Sequence, residues 1–125
     1  MAQSTVLTLL PTHSHSGSNA INIIGTKQPA AAYILASSNL QTIIWNLGNN
    51  VRGIQPVYFT GTITIQASLS TEPGPFDWFD VYTLPVTSTP GGQSGFHNLS
   101  GNYVWIRAAV TEWTAGQIQS INVSY

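Results

Sequence analysis

Turn-forming clusters interrupt this chain at short intervals, and that spacing constrains the fold more than any other feature. The clusters read SGSN, GNN, TGT, EPGP, TPGGQSG, SGN and TAG. Glycine, proline, asparagine and serine supply the backbone angles and local hydrogen bonds of tight turns. The residues that dominate between them are Thr, Val, Ile, Tyr and Trp, which suit a pleated, half-buried surface. Helical periodicity is almost absent; at most a turn or so is expected near PAAAY. Short strands between regular turns predict an all-β sandwich or barrel.

Four stretches carry the alternation of a strand with one wet face. In GTITIQASL, Ile63, Ile65, Ala67 and Leu69 share one face, and Thr62, Thr64, Gln66 and Ser68 share the other. In NYVWIRAAV, Val104, Ile106, Ala108 and Val110 point inward, against Tyr103, Trp105 and Arg107 outward. QTIIWNL groups Ile43, Trp45 and Leu47, and SINVSY groups Ile121, Val123 and Tyr125. Ile118 is out of phase with the last set, which predicts a bulge near Gln119 or a strand that starts later. FTGTITIQASL and LSGNYVWIRAAV echo each other; two core strands with the same needs, or a duplicated half-motif, account for the echo.

With 125 residues the chain has the size of one domain and enough core to dispense with staples. It has no cysteine, hence no disulfide or thiolate chemistry. Only 6% of its residues are charged, against about 25% in an ordinary globular chain. Lys27, Arg52 and Arg107 are the only Lys or Arg residues, too few to build the cationic patch that nucleic-acid binding requires. No stretch approaches the ~20 apolar residues of a membrane helix, and the N-terminus has no basic, apolar, cleavable pattern, so no signal peptide is expected. A surface made neutral by Ser, Thr, Asn, Gln and Gly fits a chain covered by neighbours in a multi-copy assembly, or a secreted binding module.

FDWFDVY, Phe76–Tyr82, concentrates two carboxylates and four aromatic rings. On a regular strand Asp77, Phe79 and Val81 share one face while Trp78, Asp80 and Tyr82 share the other. The carboxylates then point apart, whereas a glycosidase pair must face one substrate across ~5–9.5 Å. Asp77 is expected to accept backbone hydrogen bonds within the Pro73–Gly74–Pro75 turn. Trp78 invites a second reading, a sugar-stacking platform, with Tyr82, Trp105 and Trp113 as further interface or glycan contacts; the alternative is that the tryptophans build core. No nucleotide loop is present, Glu112 precedes an expected turn at WTAGQ, and nothing positions a nucleophile, so no catalytic residues and no cofactor are expected.

His13 and His15 are spaced so that an extended chain turns both rings the same way. Two ligands do not close a metal site, although three chains around a three-fold axis would supply six nitrogens, an arrangement that phage spike and fibre tips resemble. The competing reading is a solvated Ser/His/Gly loop, and no metal is expected; His97 reads as a lone loop histidine. The sequons at Asn98 and Asn122 are frequent by chance.

Taken as a set, YFTGTITIQASLSTEPGPFDWFDVY and NLSGNYVWIRAAVTEWTAGQIQSINVSY resemble small virion proteins of tailed bacteriophages, marine and cyanobacterial ones above all. The matching positions are Phe59, Gly61, Ile63, Ile65, Gln66 and Leu69, then Asp77, Trp78 and Phe79, then Gly101, Asn102, Ile106, Arg107, Gly116 and Ile118. With IIGTKQPAAAYILASSNLQTIIWNL the resemblance covers most of residues 20–125 and leaves out the His-rich N-terminus. It implies a non-enzymatic β-sandwich on the capsid or tail.

The expected architecture is therefore a single antiparallel β-sandwich, jelly-roll-like, over residues 20–125. Residues 1–19 form either an arm reaching a neighbour or the first strand of the sandwich. The expected role is a capsid decoration protein or a tail, baseplate or fibre component. It would be made in the host cytoplasm, reside in the virion and act through other virion proteins and its own copies, with a trimer as one arrangement. The alternative is a carbohydrate-binding module for host glycans, which requires a row of exposed coplanar aromatics such as Trp78, Tyr82 and Trp113. Arg107, beside Trp105 on the polar face of its strand, is expected to stack or to pair with Asp80.

Overall fold

The computed structural model describes residues 6–14, 20–29, 40–52, 55–87, 93–101 and 103–124. PAAAY and Tyr125 fall outside them wholly or in part, as does His15. The described chain is all β, and among its residues no helix is long and apolar enough to cross a membrane. Its strands are β1 (Val6–Leu10), β2 (His13–Ser14), β3 (Ile21–Ile24), β4 (Gln28–Pro29), β5 (Leu40–Arg52), β6 (Gln55–Tyr58), β7 (Thr60–Ser68), β8 (Phe79–Val86), β9 (Ser94–Ser100), β10 (Trp105–Ala115) and β11 (Gln117–Ser124).

The pairing is nested. β1 pairs β11, β3 pairs β10, β5 pairs β9 and β7 pairs β8, all antiparallel. A ribbon of nested pairs rolls up when β11 also pairs β5 and β10 also pairs β7. The result is two four-stranded layers, β1-β11-β5-β9 and β3-β10-β7-β8, the order of a jelly roll. The short strands β2, β4 and β6 extend β11, β10 and β5 at their ends. The echoing segments of the sequence are β7 and β10, neighbours in the centre of the second sheet.

The alternation read from the sequence fills the space between the sheets. Ile43, Trp45, Leu47, Ile121 and Val123 of the first sheet face Ile63, Ile65, Ala67, Ile106, Ala108 and Val110 of the second. The bulge expected near Gln119 is present: the register of β11 on β5 shifts between Ile118 and Ser120, which lets both Ile118 and Ile121 point inward. Leu69 departs from its expected face. β7 ends at Ser68, and Leu69 is exposed. Leu9 and Leu10 are buried, so Val6–Leu10 is a strand of the sandwich packed into its core.

Both open sides between the sheets are closed. On one, Gly25 donates to the Ala108 carbonyl, while Thr26 and the Gln28 side chain donate to the Leu9 and Thr8 carbonyls, tying β1 to the other layer. On the other, Tyr82 of β8 stacks on His97 of β9, with centroids 3.7 Å apart and planes within 7°, and then on Trp45 at 6.2 Å. His97 is therefore a strand residue that seals the sandwich, not a loop histidine.

The crossings between sheets need special residues. β10 passes into β11 through Gly116 alone, at φ 83°, where L side chains are strained. A Cβ there would also run into the backbone of Tyr58 and Phe59. WTAGQ is thus strand, one-residue corner, strand. At the crossing from β6 to β7, Phe59 donates its N–H to Oε1 of buried Gln93 at 3.1 Å, which satisfies a backbone group that no strand partner reaches.

Candidate functional site

The two outer faces of the sandwich are the surfaces on which the described residues place candidate functional groups. That of the β3-β10-β7-β8 sheet carries the FDWFDVY motif. Gly74–Asp77 form a turn with Pro75 and Phe76 at its centre. Gly74 donates its N–H to Asp77 Oδ2 at 2.7 Å, and Asp77 N–H donates to the Gly74 carbonyl at 3.2 Å. Ser68 and Ser70 hydroxyls accept from the N–H groups of Ser70 and Glu72, and Trp105 Nε1–H donates to the Thr71 carbonyl at 2.9 Å. The loop is thus tied at several points between β7 and β8, with Phe76 at its tip 97% exposed.

Beside it, one cross-strand row reads Arg107, Gln66, Asp80. Arg107 Nε donates to Gln66 Oε1 at 2.9 Å, and Gln66 Nε2 donates to Asp80 Oδ1 at 3.1 Å. The Arg107 guanidinium lies 4.1 Å from the centre of the Trp78 ring, and the Lys27 ammonium 4.4 Å from that of Trp105. Arg107 therefore stacks on Trp78 rather than on Trp105 beside it, and reaches Asp80 through Gln66 rather than directly. Partial burial pulls its pKa below the usual guanidinium value. Each Trp–cation contact contributes about 0.5–1 kcal/mol at an exposed site.

The strand parity assumed for FDWFDVY is broken. The register passes from Ile65 opposite Tyr82 to Gln66 opposite Asp80, so Val81 is an extra, bulged residue. Asp80 stays outside, but Tyr82 turns inward to Trp45 and His97. Trp113 is also moved inside: it is 1% exposed, packs on Phe59 at 5.9 Å and donates Nε1–H to the carbonyls of Ala115 and Gly116. The irregularity between Thr111 and Ala115, with Glu112 at φ 54°, turns Trp113 toward the core. Trp113 is thus no surface contact, Tyr82 belongs to the seal, and Arg107 covers one face of Trp78. Trp78, Tyr82 and Trp113 do not form a row of exposed coplanar rings.

Asp77 is engaged by its turn and Asp80 by Gln66, and the two carboxylates share no common target. His13 Nδ1 lies 2.9 Å from the Pro11 carbonyl oxygen. Among the described residues no three His, Cys, Asp or Glu side chains lie close enough to hold a metal ion.

The outer face of the β1-β11-β5-β9 sheet is different in kind. Its central part holds three cross-strand rows: Val6, Ser124, Thr42, Asn98, of which Ser124 is buried; then Thr8, Asn122, Ile44, Phe96; then Ser120, Asn46, Ser94 across β11, β5 and β9. None is ionisable. Val6 and Phe96 are 57% and 67% exposed, and Ile44 lies directly beside Phe96. Thr42 Oγ1 donates to Asn98 Oδ1 at 2.8 Å, which spends the polar groups of that row on each other. The sequence reading missed this face: it took His97 for a loop residue, and so placed no strand at Ser94–Ser100 beside β5.

No protein-family model matches the chain, and no curated protein matches it.

Proposed function

We propose that this protein is a structural component of a bacteriophage virion, a capsid decoration protein or a part of the tail, baseplate or fibre. It acts through protein–protein contacts rather than catalysis. The observation that carries this reading is the central part of the β1-β11-β5-β9 outer face, whose three described rows hold no ionisable group and set Phe96, Ile44 and Val6 among hydroxyls and amides. A wet face of that size with no charge is suited to being covered by protein, where no buried charge would have to be paired. The jelly roll is one of the folds that capsid proteins use, as do lectins; fold alone does not assign a role. The choice of a virion rests on the sequence resemblance, which covers most of residues 20–125.

The test is occupancy. Particles of the phage encoding this chain, purified by density gradient, should contain it at a fixed stoichiometry to the major capsid or tail protein by quantitative mass spectrometry. Absence from such particles, with the chain present in the infected lysate, would overturn the reading.

A further inference from the structure

We propose that residues 81–86 of β8 form a strap, latched by the Tyr82 ring, that lifts from the sandwich while the rest of the fold stays intact. The two open sides between the sheets are closed by different means. On the side of β1 and β3 the closure is hydrogen-bonded: the Thr26 N–H and the Gln28 side chain donate across to carbonyls of β1. On the side of β8 and β9, among the described residues, no hydrogen bond joins the two strands. Tyr82 reaches across instead, stacked on His97 at 3.7 Å and on Trp45 at 6.2 Å.

Little else holds the middle of this strand. β8 is an edge strand, and among the described residues β7 is its one strand partner. Of its eight residues only Val86 is buried, and Val81, Tyr82 and Leu84 pack only partly against the core. A segment with few buried apolar groups and a solvent-exposed ladder opens at lower free energy than the core. Its two ends are fixed by separate contacts. At the start, Asp80 accepts from the Gln66 amide, and Phe79 packs on Tyr103 at 6.1 Å. Beyond the end, buried Gln93 accepts from the Leu47 N–H through its carbonyl and from the Phe59 N–H through Oε1. Between the anchors, the extra residue Val81 interrupts the ladder and supplies a hinge.

Lifting the strap breaks the Tyr82 stack and the ladder opposite Gly61 to Ile65, and leaves β10 on β7 and β11 on β5 paired as before. It bares the β7 edge, a row of N–H and C=O groups with which an extended segment can pair. Tyr82 thus sets how often that edge appears. The strap is independent of the structural role proposed above.

Native-state hydrogen exchange, read residue by residue by NMR on the full chain, tests this. In the wild-type chain the slowest amides of residues 82–86 should exchange at least ~100-fold faster than the slowest amides of β10. Ile121→Val trims a buried side chain of β11, two strands from β9 in the other sheet. It should speed the β10 amides roughly 2- to 10-fold and leave those of the strap unchanged, because Ile121 stays packed when the strap lifts. Tyr82→Ala should speed the strap by at least ~10-fold and β10 by no larger a factor, because lifting and global unfolding both release the ring. His97→Ala, which removes the other ring of the stack, should act in the same direction and serves where Tyr82→Ala does not fold. Strap amides that exchange at the rate of β10 in the wild-type chain, or that follow β10 when Ile121 is changed, overturn the strap. A strap that keeps its wild-type protection in Tyr82→Ala or His97→Ala overturns the latch.

Discussion

The two outer faces of this sandwich have the same geometry and opposite chemistry. On the β3-β10-β7-β8 side, Arg107, Gln66 and Asp80 form a hydrogen-bonded row, and Trp78 and Trp105 each carry a cation. Lys27, Glu72, Asp77 and Glu112 also belong to that sheet or its loops. On the β1-β11-β5-β9 side the three rows contain no ionisable residue. A chain with seven Asp, Glu, Lys and Arg residues thus places six of them on one half of the molecule. The difference teaches that low overall charge is not spread evenly. One face spends its polar and charged groups on each other and on its loop, which fixes the surface. The other carries the Thr42–Asn98 hydrogen bond and leaves Phe96 and Val6 largely exposed.

The comparison presumes that both faces stand on one shared core, and the largest predicted effect tests that. Trp113→Ala removes a ring buried between the sheets together with its two indole hydrogen bonds, and should cost about 3–5 kcal/mol in chemical denaturation. The unfolding curve should remain a single transition. Separate transitions, reported by fluorescence and by far-UV circular dichroism, would mean that the two layers do not unfold as a unit.

Next come the residues that make the first face a network. Arg107→Ala breaks both the Gln66 bond and the Trp78 stack, and should destabilise by about 1–2 kcal/mol. A double-mutant cycle with Trp78→Ala should return a coupling of about 0.5–1 kcal/mol. Zero coupling would reduce the stack to an incidental contact. Asp77→Ala frees the Gly74 N–H, which solvent can partly replace, so about 1 kcal/mol is expected.

Much of the core was legible from alternation, because the inward residues of β7 and β10, and those of β5 apart from Ile43 before Ile44, are followed by outward polar or small ones for several positions. The bulge at Gln119 showed as a phase error between Ile118 and Ile121, and the Asp77 turn as an Asp just after Pro-Gly-Pro. What failed to show were irregularities that leave no phase error. Val81 is apolar on either parity, so FDWFDVY reads as regular while Tyr82 has changed sides. Trp113 lies beyond a left-handed Glu112, a conformation no residue in that stretch advertises. The charge-free face was out of reach for another reason. It is assembled laterally from β1, β11, β5 and β9, so its rows join residues far apart in sequence, and no local pattern contains them.

The smallest predicted effect distinguishes a face from a side chain. Phe76 is more exposed than Phe96, 97% against 67%. It stands at a loop tip beside Asp77, with no flat apolar or hydroxyl-lined surface around it, and a single exposed apolar residue on a soluble domain is ordinary. Phe96 sits beside Ile44 in a sheet face that can be covered as a whole. Phe76→Ser should therefore change folding stability by less than about 0.5 kcal/mol in chemical denaturation. Phe96→Ser removes a ring paired across the strands with Ile44 and should cost about 0.5–1 kcal/mol. Equal effects of the two substitutions would show that the Phe96–Ile44 pair adds nothing to an isolated exposed ring.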